Sequence, residues 1–179
     1  PSPLPGPIDP SESFHFPSKD GLSLYGEFYQ HESPRGLALV LHGYAEHCGR
    51  YRELANVIVG AGWAALSYDL RGHGQSPGVR GFIDRFDVYL EDLAAIQTAA
   101  RKLAPEGAPV VLLGHSHGSL ITLRALVDDQ PPQVSAAIVS SPFLALKMAV
   151  PGYKRVLASV ASRLAPHVAA LTATLNSSR

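Results

Sequence analysis

Residues 114–118, Gly-His-Ser-His-Gly, form the pattern in this sequence that most directly suggests chemistry. This G-x-S-x-G pattern follows an apolar run at residues 110–113 and precedes a helical pattern that begins near Ser119. A sharp turn between a strand and a helix lifts the middle side chain above the sheet, and flanking glycines avoid the clash that a Cβ would cause there. The arrangement predicts that Ser116 is a nucleophile. The alternative is a tight structural turn that contains a serine.

A serine that attacks a carbonyl group needs N–H donors for the negative charge that develops on the oxygen. The helix after Ser116 begins with backbone N–H groups that have no partner in the helix, so the N–H of His117 is the first candidate donor. The second candidate is the N–H of Tyr44, because His42-Gly43 ends another apolar strand at the same edge of the sheet. The alternative is that His42-Gly43 only turns the chain.

Alternating apolar runs and amphipathic segments surround these two loops. Strands are predicted at residues 13–17, 22–29, 37–41, 64–68, 110–113 and 134–139, with the first two antiparallel. Helices are predicted at residues 51–59, 86–103, 119–127 and 153–164, with Asp84 as the cap of the second helix. Continuous apolar strands separated by helices are typical of an α/β fold with a doubly wound, mostly parallel sheet.

Composition excludes several classes of protein. Fifteen Lys and Arg residues balance fifteen Asp and Glu residues, which argues against a nucleic-acid partner or a polybasic membrane patch. The single cysteine, Cys48, rules out an internal disulfide and slightly favours a reducing, cytoplasmic location. No apolar run approaches the roughly 18 residues of a transmembrane segment. The eight histidines lack the cluster of a metal site, and no cofactor-binding loop is present, so neither a metal nor a cofactor is expected.

Three motifs together resemble those of the monoacylglycerol lipase and lysophospholipase branch of the α/β-hydrolases. The first is HGYAEHCGRY at residues 42–51, the second is DLRGHGQS at residues 69–76, and the third is the serine turn. The sequence departs from the family pattern at His117, where methionine is usual, and at Ser119, where glycine is usual.

The resemblance implies an α/β-hydrolase fold that stops early. Residues 13–145 would be the N-terminal part of the core, and residues 146–179 would be the start of a helical cap with the C-terminal core missing. Residues 1–12 are expected to form an extended arm, because five of the first ten residues are proline.

The resemblance also assigns roles to charged residues near the serine. Glu46 and Arg50 match positions that hold the polar head of a glyceride-like substrate, although an ion pair that only fixes the loop is an equal alternative. Asp69, Arg71 and His73 are interpreted as residues that brace a loop. Asp69 is expected on the strand next to that of the serine turn, which is not where the family keeps its catalytic acid.

A catalytic serine also needs a histidine base and an acid, which in this fold follow the serine along the chain. After Ser116 the acids are Asp128 and Asp129, at the far end of the next helix, and the histidines are His117 and His167. None is placed to complete a triad, so the acid and the histidine are expected from a C-terminal remainder outside this chain.

The sequence therefore predicts a serine hydrolase that cleaves carboxylic esters through an acyl-enzyme at Ser116. The expected substrate is a small lipid-like ester, either a monoacylglycerol or a lysophospholipid. A thioesterase or a peptidase on the same scaffold is an alternative, since a fold does not determine a substrate. A non-catalytic binding protein with a hydrolase-like pocket is the alternative from another class.

Overall fold

The computed structural model describes residues 9–144 and, within a later helical stretch, residues 152–153, 156 and 159–160. Six strands form one sheet: β1 (Glu12–Pro17), β2 (Ser23–Tyr29), β3 (Leu37–Leu41), β4 (Ala64–Tyr68), β5 (Val110–His115) and β6 (Ala136–Ser140). Within residues 9–144 the connections contain the helices α1 (Arg52–Gly60), α2 (Asp87–Leu103) and α3 (His117–Leu126), and a short 3₁₀ helix at Cys48–Tyr51. The strands lie in the order β1-β2-β4-β3-β5-β6.

The centre of the sheet is parallel and apolar. β4, β3, β5 and β6 run in the same direction, while β2 is antiparallel to both β1 and β4. Leu39 pairs in register with Leu66 on one side and Leu112 on the other, and all three side chains are fully buried. Each such leucine contributes roughly 1.5–3 kcal/mol through burial, which explains why unbroken apolar runs occupy these strands.

Helices cover both faces of the sheet. Neighbouring residues on β2 point to opposite faces, so Phe28 packs in the larger core with α2 and α3, whereas Tyr29 packs with Ala55 of α1. The sheet is therefore doubly wound and mostly parallel, with an antiparallel pair at one edge. Both features of the predicted α/β fold class are confirmed.

The element bounds differ from the predictions in a few places. The helix that follows the serine turn begins at His117 rather than near Ser119. α2 begins at Asp87, and no side chain caps its start, so the predicted cap by Asp84 is wrong. Residues 1–8 of the expected arm and most of the expected cap lie outside the described residues; of the helix predicted at 153–164, residues 153, 156 and 159–160 are helical.

β6 lies at the edge of the described sheet and is exposed along its whole length. Its apolar residues Ile138 and Val139 are 53% and 39% exposed. No helix in the described part of the chain has the length and apolar character needed to cross a membrane.

A buried carboxylate ties α2 to two loops of the sheet. Asp92 is fully buried, and its two oxygens accept hydrogen bonds from Arg71 Nε at 2.7 Å and Nη2 at 2.6 Å. Ser18 Oγ also donates to Asp92, and Arg71 Nη1 donates to Asp20 at 2.9 Å. The pairing compensates for the removal of the Asp92 carboxylate from water.

We predict that Asp92→Ala lowers the free energy of unfolding by about 3 kcal/mol, because it leaves the largely buried Arg71 guanidinium with Asp20, whose side chain is 48% exposed, as its only carboxylate partner among the described residues. Urea denaturation followed by circular dichroism measures the change. Glu91→Ala is the matched control on the same helix: its two ion pairs are long (3.9 and 3.8 Å) and partly exposed, so the expected loss is below about 1 kcal/mol. Equal losses for the two variants would contradict a structural role for the buried pair.

Candidate active site

Ser116 occupies a strained turn between β5 and α3. Its backbone lies at φ 51° and ψ −110°, a region that side-chain-bearing residues rarely adopt. Hydrogen bonds from neighbouring segments hold this conformation: the Ser116 N–H donates to the Ser140 carbonyl at 2.9 Å, and the Ser116 carbonyl accepts from the Phe143 N–H at 3.2 Å. The backbone therefore has the sharp strand-to-helix geometry that the G-x-S-x-G pattern predicts.

Close packing accounts for both glycines of the motif. A Cβ on Gly114 would lie 2.6 Å from the Gly118 carbonyl oxygen, and a Cβ on Gly118 would lie 2.3 Å from the carbonyl oxygen of Leu41. No real side chain tolerates such distances, and in both cases the obstacle is backbone. The glycines thus allow the start of α3 to lie against the ends of β5 and β3.

The loop after β3 lies directly beside Ser116. A Cβ on Gly43 would lie 3.3 Å from the Ser116 Cβ. The buried His42 side chain, which is 1% exposed, holds the loop through hydrogen bonds. Its Nε2 accepts the Leu70 N–H at 2.9 Å, so Nδ1 carries the proton and donates to the Gly43 carbonyl at 2.7 Å. Burial lowers the pKa of His42 to about 4, so the ring is neutral at pH 7.

The two amides expected to bind an oxyanion come from the two sides of this junction. The N–H of His117 belongs to the first residue of α3, so α3 contains no preceding carbonyl that could accept its hydrogen bond. Within the described part of the chain, the Tyr44 N–H likewise donates no hydrogen bond. Ala45, the next residue, has a φ of 58°, so the backbone turns sharply immediately after Tyr44.

Glu46 holds this loop with its carboxylate. Oε2 accepts the Gly43 N–H at 2.9 Å and the Tyr51 hydroxyl at 2.7 Å. Burial alone would raise the pKa of Glu46, but these two hydrogen bonds outweigh it and the pKa is lowered, so the group is ionised at neutral pH. Arg50 is only weakly paired, with its Nε 3.9 Å from Glu46 Oε1, and 61% of its side chain is exposed. Sequence reasoning did not identify the contribution of Tyr51.

Asp69 braces the loop that follows β4, as expected. Its Oδ1 accepts the Cys48 N–H and its Oδ2 accepts the Gln75 N–H, both at 2.6 Å. One expectation about Asp69 is wrong: β4 does not neighbour β5, because β3 lies between them. The other two residues of this set are also engaged, Arg71 with Asp92 and the buried His73 through Nδ1 with the Arg71 carbonyl at 3.0 Å.

The described residues do not place an acid and a base around Ser116. Asp128 pairs with Arg124 at 3.2 Å at the far end of α3, about 15 Å along a ten-residue helix from the serine turn. The His117 ring packs among aromatic rings, and its Nε2 is buried without a hydrogen-bond partner in this part of the structure. Burial, with a smaller effect of His73, lowers the pKa of His117 to about 4.

Ser119, one of the two departures from the family pattern, has a clear structural role. It is fully buried, and its hydroxyl accepts the Ser140 N–H at 3.0 Å while lying 2.6 Å from the Gly114 carbonyl, to which it donates. The hydroxyl therefore joins β5, α3 and β6 at the serine turn. Sequence reasoning recorded the substitution but could not find this partner, which lies 21 residues away.

A metal or thiol site is not formed by the described residues. They contain no group of three or more His, Cys, Asp or Glu side chains that could hold a metal ion. Cys48 is 2% exposed, and burial raises the pKa of its thiol, so it packs as a small apolar residue.

Comparisons with known proteins identify the family of this chain. The family model described as serine aminopeptidase, S33, matches residues 32–179. Monoglyceride lipase of Rattus norvegicus is 37% identical over 131 residues, which cover 73% of this chain and 43% of the lipase. Phospholipase YtpA of Bacillus subtilis is 32% identical over 119 residues, which cover 66% of this chain and 45% of the phospholipase.

A solved structure gives the same result. The crystal structure of monoacylglycerol lipase from Paleococcus ferrophilus matches with a TM-score of 0.64 and 31% identity, over 80% of this chain and 52% of the lipase. The chain thus spans about half the length of the relatives that it matches. Because the family model matches well over half of the chain, and because the fold matches that of a solved relative, the chain belongs to the α/β-hydrolases, in the family that includes the monoglyceride lipases.

Proposed function

We propose that this chain carries the nucleophile and the oxyanion hole of a serine hydrolase that cleaves carboxylic esters. The observation that carries the proposal is the strained turn at Ser116, with the loop of Gly43 against its side chain. A backbone held at a positive φ requires compensation from the surrounding structure, and such strain is typical of functional sites. The turn also places Ser116 at the N-terminus of α3, where backbone N–H groups are available.

The reaction proceeds in two steps. Ser116 Oγ attacks the ester carbonyl carbon and loses its proton to a base, while the Tyr44 and His117 N–H groups bind the oxygen that becomes negative. The carbonyl re-forms as the alcohol leaves with a proton from the base, which gives an acyl-enzyme. Water then attacks the acyl carbon while the base accepts its proton, and the base returns that proton to Ser116 Oγ as the bond between Oγ and the acyl carbon breaks, which releases the fatty acid and free serine.

The base comes from outside the described residues. Both ring nitrogens of His42 are engaged with backbone groups, so it cannot also reach the Ser116 hydroxyl. His117, with a pKa of about 4, is a weak base, whereas an efficient general base has a pKa near the working pH. The order serine, acid, histidine of this fold places the missing partners later along the chain.

The preferred substrate in this proposal is a monoacylglycerol. The support is the identity of the relatives, which are called monoglyceride lipase in Rattus norvegicus and monoacylglycerol lipase in Paleococcus ferrophilus. Arg50 provides an exposed guanidinium that can donate hydrogen bonds to glycerol hydroxyls, while Glu46 is occupied by Gly43 and Tyr51. A lysophospholipid is the second candidate, because the Bacillus subtilis relative is called a phospholipase.

A binding protein without catalysis is the alternative function. It is favoured by one observation, namely that the described residues do not place a base and an acid at Ser116. Such a protein would keep the pocket and the amides but would not form an acyl-enzyme. Covalent labelling of the serine separates the two functions.

We predict that Ser116→Ala in the full-length natural protein lowers kcat/KM for p-nitrophenyl butyrate by about 10⁴-fold or more, because no other group can form the acyl-enzyme. The variant should also lose labelling by a fluorophosphonate probe, which is read on a gel. Ser33→Ala, in an exposed loop, is the matched control and should retain both properties. Absence of labelling in the unmodified protein would instead support the binding function.

We also predict that Arg50→Met raises KM for a monoacylglycerol about 10-fold, in line with the lower end of the roughly 1.5–3 kcal/mol that a hydrogen bond to a charged group contributes. KM for p-nitrophenyl butyrate, which has no glycerol, should not change. Arg85→Met is the matched control, since Arg85 is similarly exposed (63%) and forms a similarly long ion pair of 3.8 Å. Equal effects of Arg50→Met on both esters would show that Arg50 only fixes the loop.

A further inference from the structure

The Tyr44 side chain joins three parts of the site that are distant in sequence. Its ring meets the His73 ring edge-on at 5.5 Å and the His117 ring edge-on at 6.2 Å, measured between centroids. Its hydroxyl donates to the Gly81 carbonyl at 3.1 Å. The side chain nevertheless remains 50% exposed, so its burial contributes little to the core.

Both rings that Tyr44 contacts are themselves held in place. His73 is 4% exposed. Its ring donates through Nδ1 to the Arg71 carbonyl, and its backbone N–H donates to the Leu70 carbonyl at 2.9 Å. His117 packs edge-on against two rings from the region of α2, with centroid distances of 5.1 Å to Tyr89 and 6.0 Å to Phe86. Tyr44 therefore rests between two rigid supports rather than on mobile side chains.

The Tyr44 side chain is one of several contacts that hold the backbone around the Tyr44 amide. Glu46 fixes the loop at the Gly43 N–H, one residue before the Tyr44 amide, and Ala45 adopts a positive φ immediately after it. The Gly43 carbonyl belongs to the same planar peptide group as the Tyr44 N–H, and it accepts a hydrogen bond from the buried His42 Nδ1 at 2.7 Å. His42 thus holds the carbonyl end of this peptide group, and the Tyr44 side chain holds its amide end. That side chain is held against His117, the residue that provides the other amide of the proposed oxyanion hole.

We infer that Tyr44 is a positioning residue: the contact of its ring with His117 and His73 sets the distance between the two amides that bind the oxyanion. This inference rests on the proposed function. The proposed mechanism uses only the backbone N–H of Tyr44, and the inference adds a role for its side chain. It also gives a role to His117, whose ring lies against the Tyr44 ring at close to a right angle. The two oxyanion donors are thus coupled through their own side chains.

The expected effect follows from the geometry of hydrogen bonds. Loss of a whole oxyanion donor costs about 10²–10³-fold in kcat, and a misplacement of about 1 Å costs about 10²-fold. Removal of the ring leaves the peptide group held at the Gly43 carbonyl but lets its N–H tilt, so the loss should be smaller, about 10- to 30-fold. Since the oxyanion exists only in the transition state, kcat should fall while KM stays within about twofold.

The test compares Tyr44→Leu with Tyr44→Phe in the full-length natural protein, with p-nitrophenyl butyrate as substrate. Tyr44→Leu should show the full loss in kcat, and affinity for octylboronic acid, whose serine adduct mimics the tetrahedral intermediate, should fall by a similar factor. Tyr44→Phe keeps the ring contacts and loses only the tether to Gly81, so it should recover most of kcat, to within about threefold of the unmodified protein.

Tyr25→Leu is the matched control. Tyr25 lies on β2, meets the His15 ring edge-on at 5.8 Å and donates to Glu27, but β2 is three positions from β5 in the sheet. It should lose no more than twofold in kcat. Thermal unfolding of each variant shows whether the fold is retained; because Tyr44 is half exposed, a small change in Tm is expected.

Three outcomes would overturn the inference. They are an unchanged kcat in Tyr44→Leu, a loss confined to KM, which would make Tyr44 a substrate contact, and an equal loss in Tyr25→Leu, which would make the effect one of general stability. Activity that survives Ser116→Ala would refute the proposed function itself, and this role with it. An enzyme that requires Ser116 but is indifferent to Tyr44→Leu would refute the positioning role alone.

Discussion

The strained backbone of Ser116 is the constraint on which the rest of the site depends. A residue at φ 51° keeps that conformation only if the surrounding structure prefers it by more than the cost of the strain, which is of order 1–3 kcal/mol. The preference comes from β6, whose Ser140 carbonyl accepts the Ser116 N–H and whose Ser140 N–H donates to Ser119. The glycines at 114 and 118 then let α3 approach the sheet closely enough for these bonds to form.

Buried and half-buried polar groups in the loops at the carboxyl edge of the sheet mainly hold backbone. Asp69, His42 and Glu46 each accept at least one N–H from a loop at the carboxyl edge of the sheet. A buried acceptor of this kind satisfies the loop amides that no strand can pair, and without it those amides would be costly to bury. These three side chains are thus engaged in holding loop backbone, and His42 has no ring nitrogen left for the Ser116 hydroxyl.

The parts of the fold that could be predicted from sequence are those governed by local pattern. Unbroken apolar runs predict β3, β4 and β5, and the glycine spacing predicts the turn at Ser116. The order of the strands depends on long-range packing, so the position of β3 between β4 and β5 and its effect on Asp69 were missed. The hydrogen bond from Tyr51 to Glu46 depends on how the loop folds. The motif contains both residues, but their positions in the sequence do not show whether the two side chains meet.

If Ser116 is the nucleophile as proposed, the topology also limits where its base can come from. β1 forms one edge of the sheet and lies four strand positions from β5, which is about 19 Å at the usual strand spacing. A strand added outside β1 would therefore be too far away for its side chains to reach Ser116. β6 is adjacent to β5 and, within the described residues, no strand pairs with its outer edge. Strands added beside β6 would end about 10–15 Å from the serine turn, within reach of loops that carry a histidine and an acid. The exposed apolar side chains of Ile138 and Val139 would then be covered by the same polypeptide that completes the chemistry.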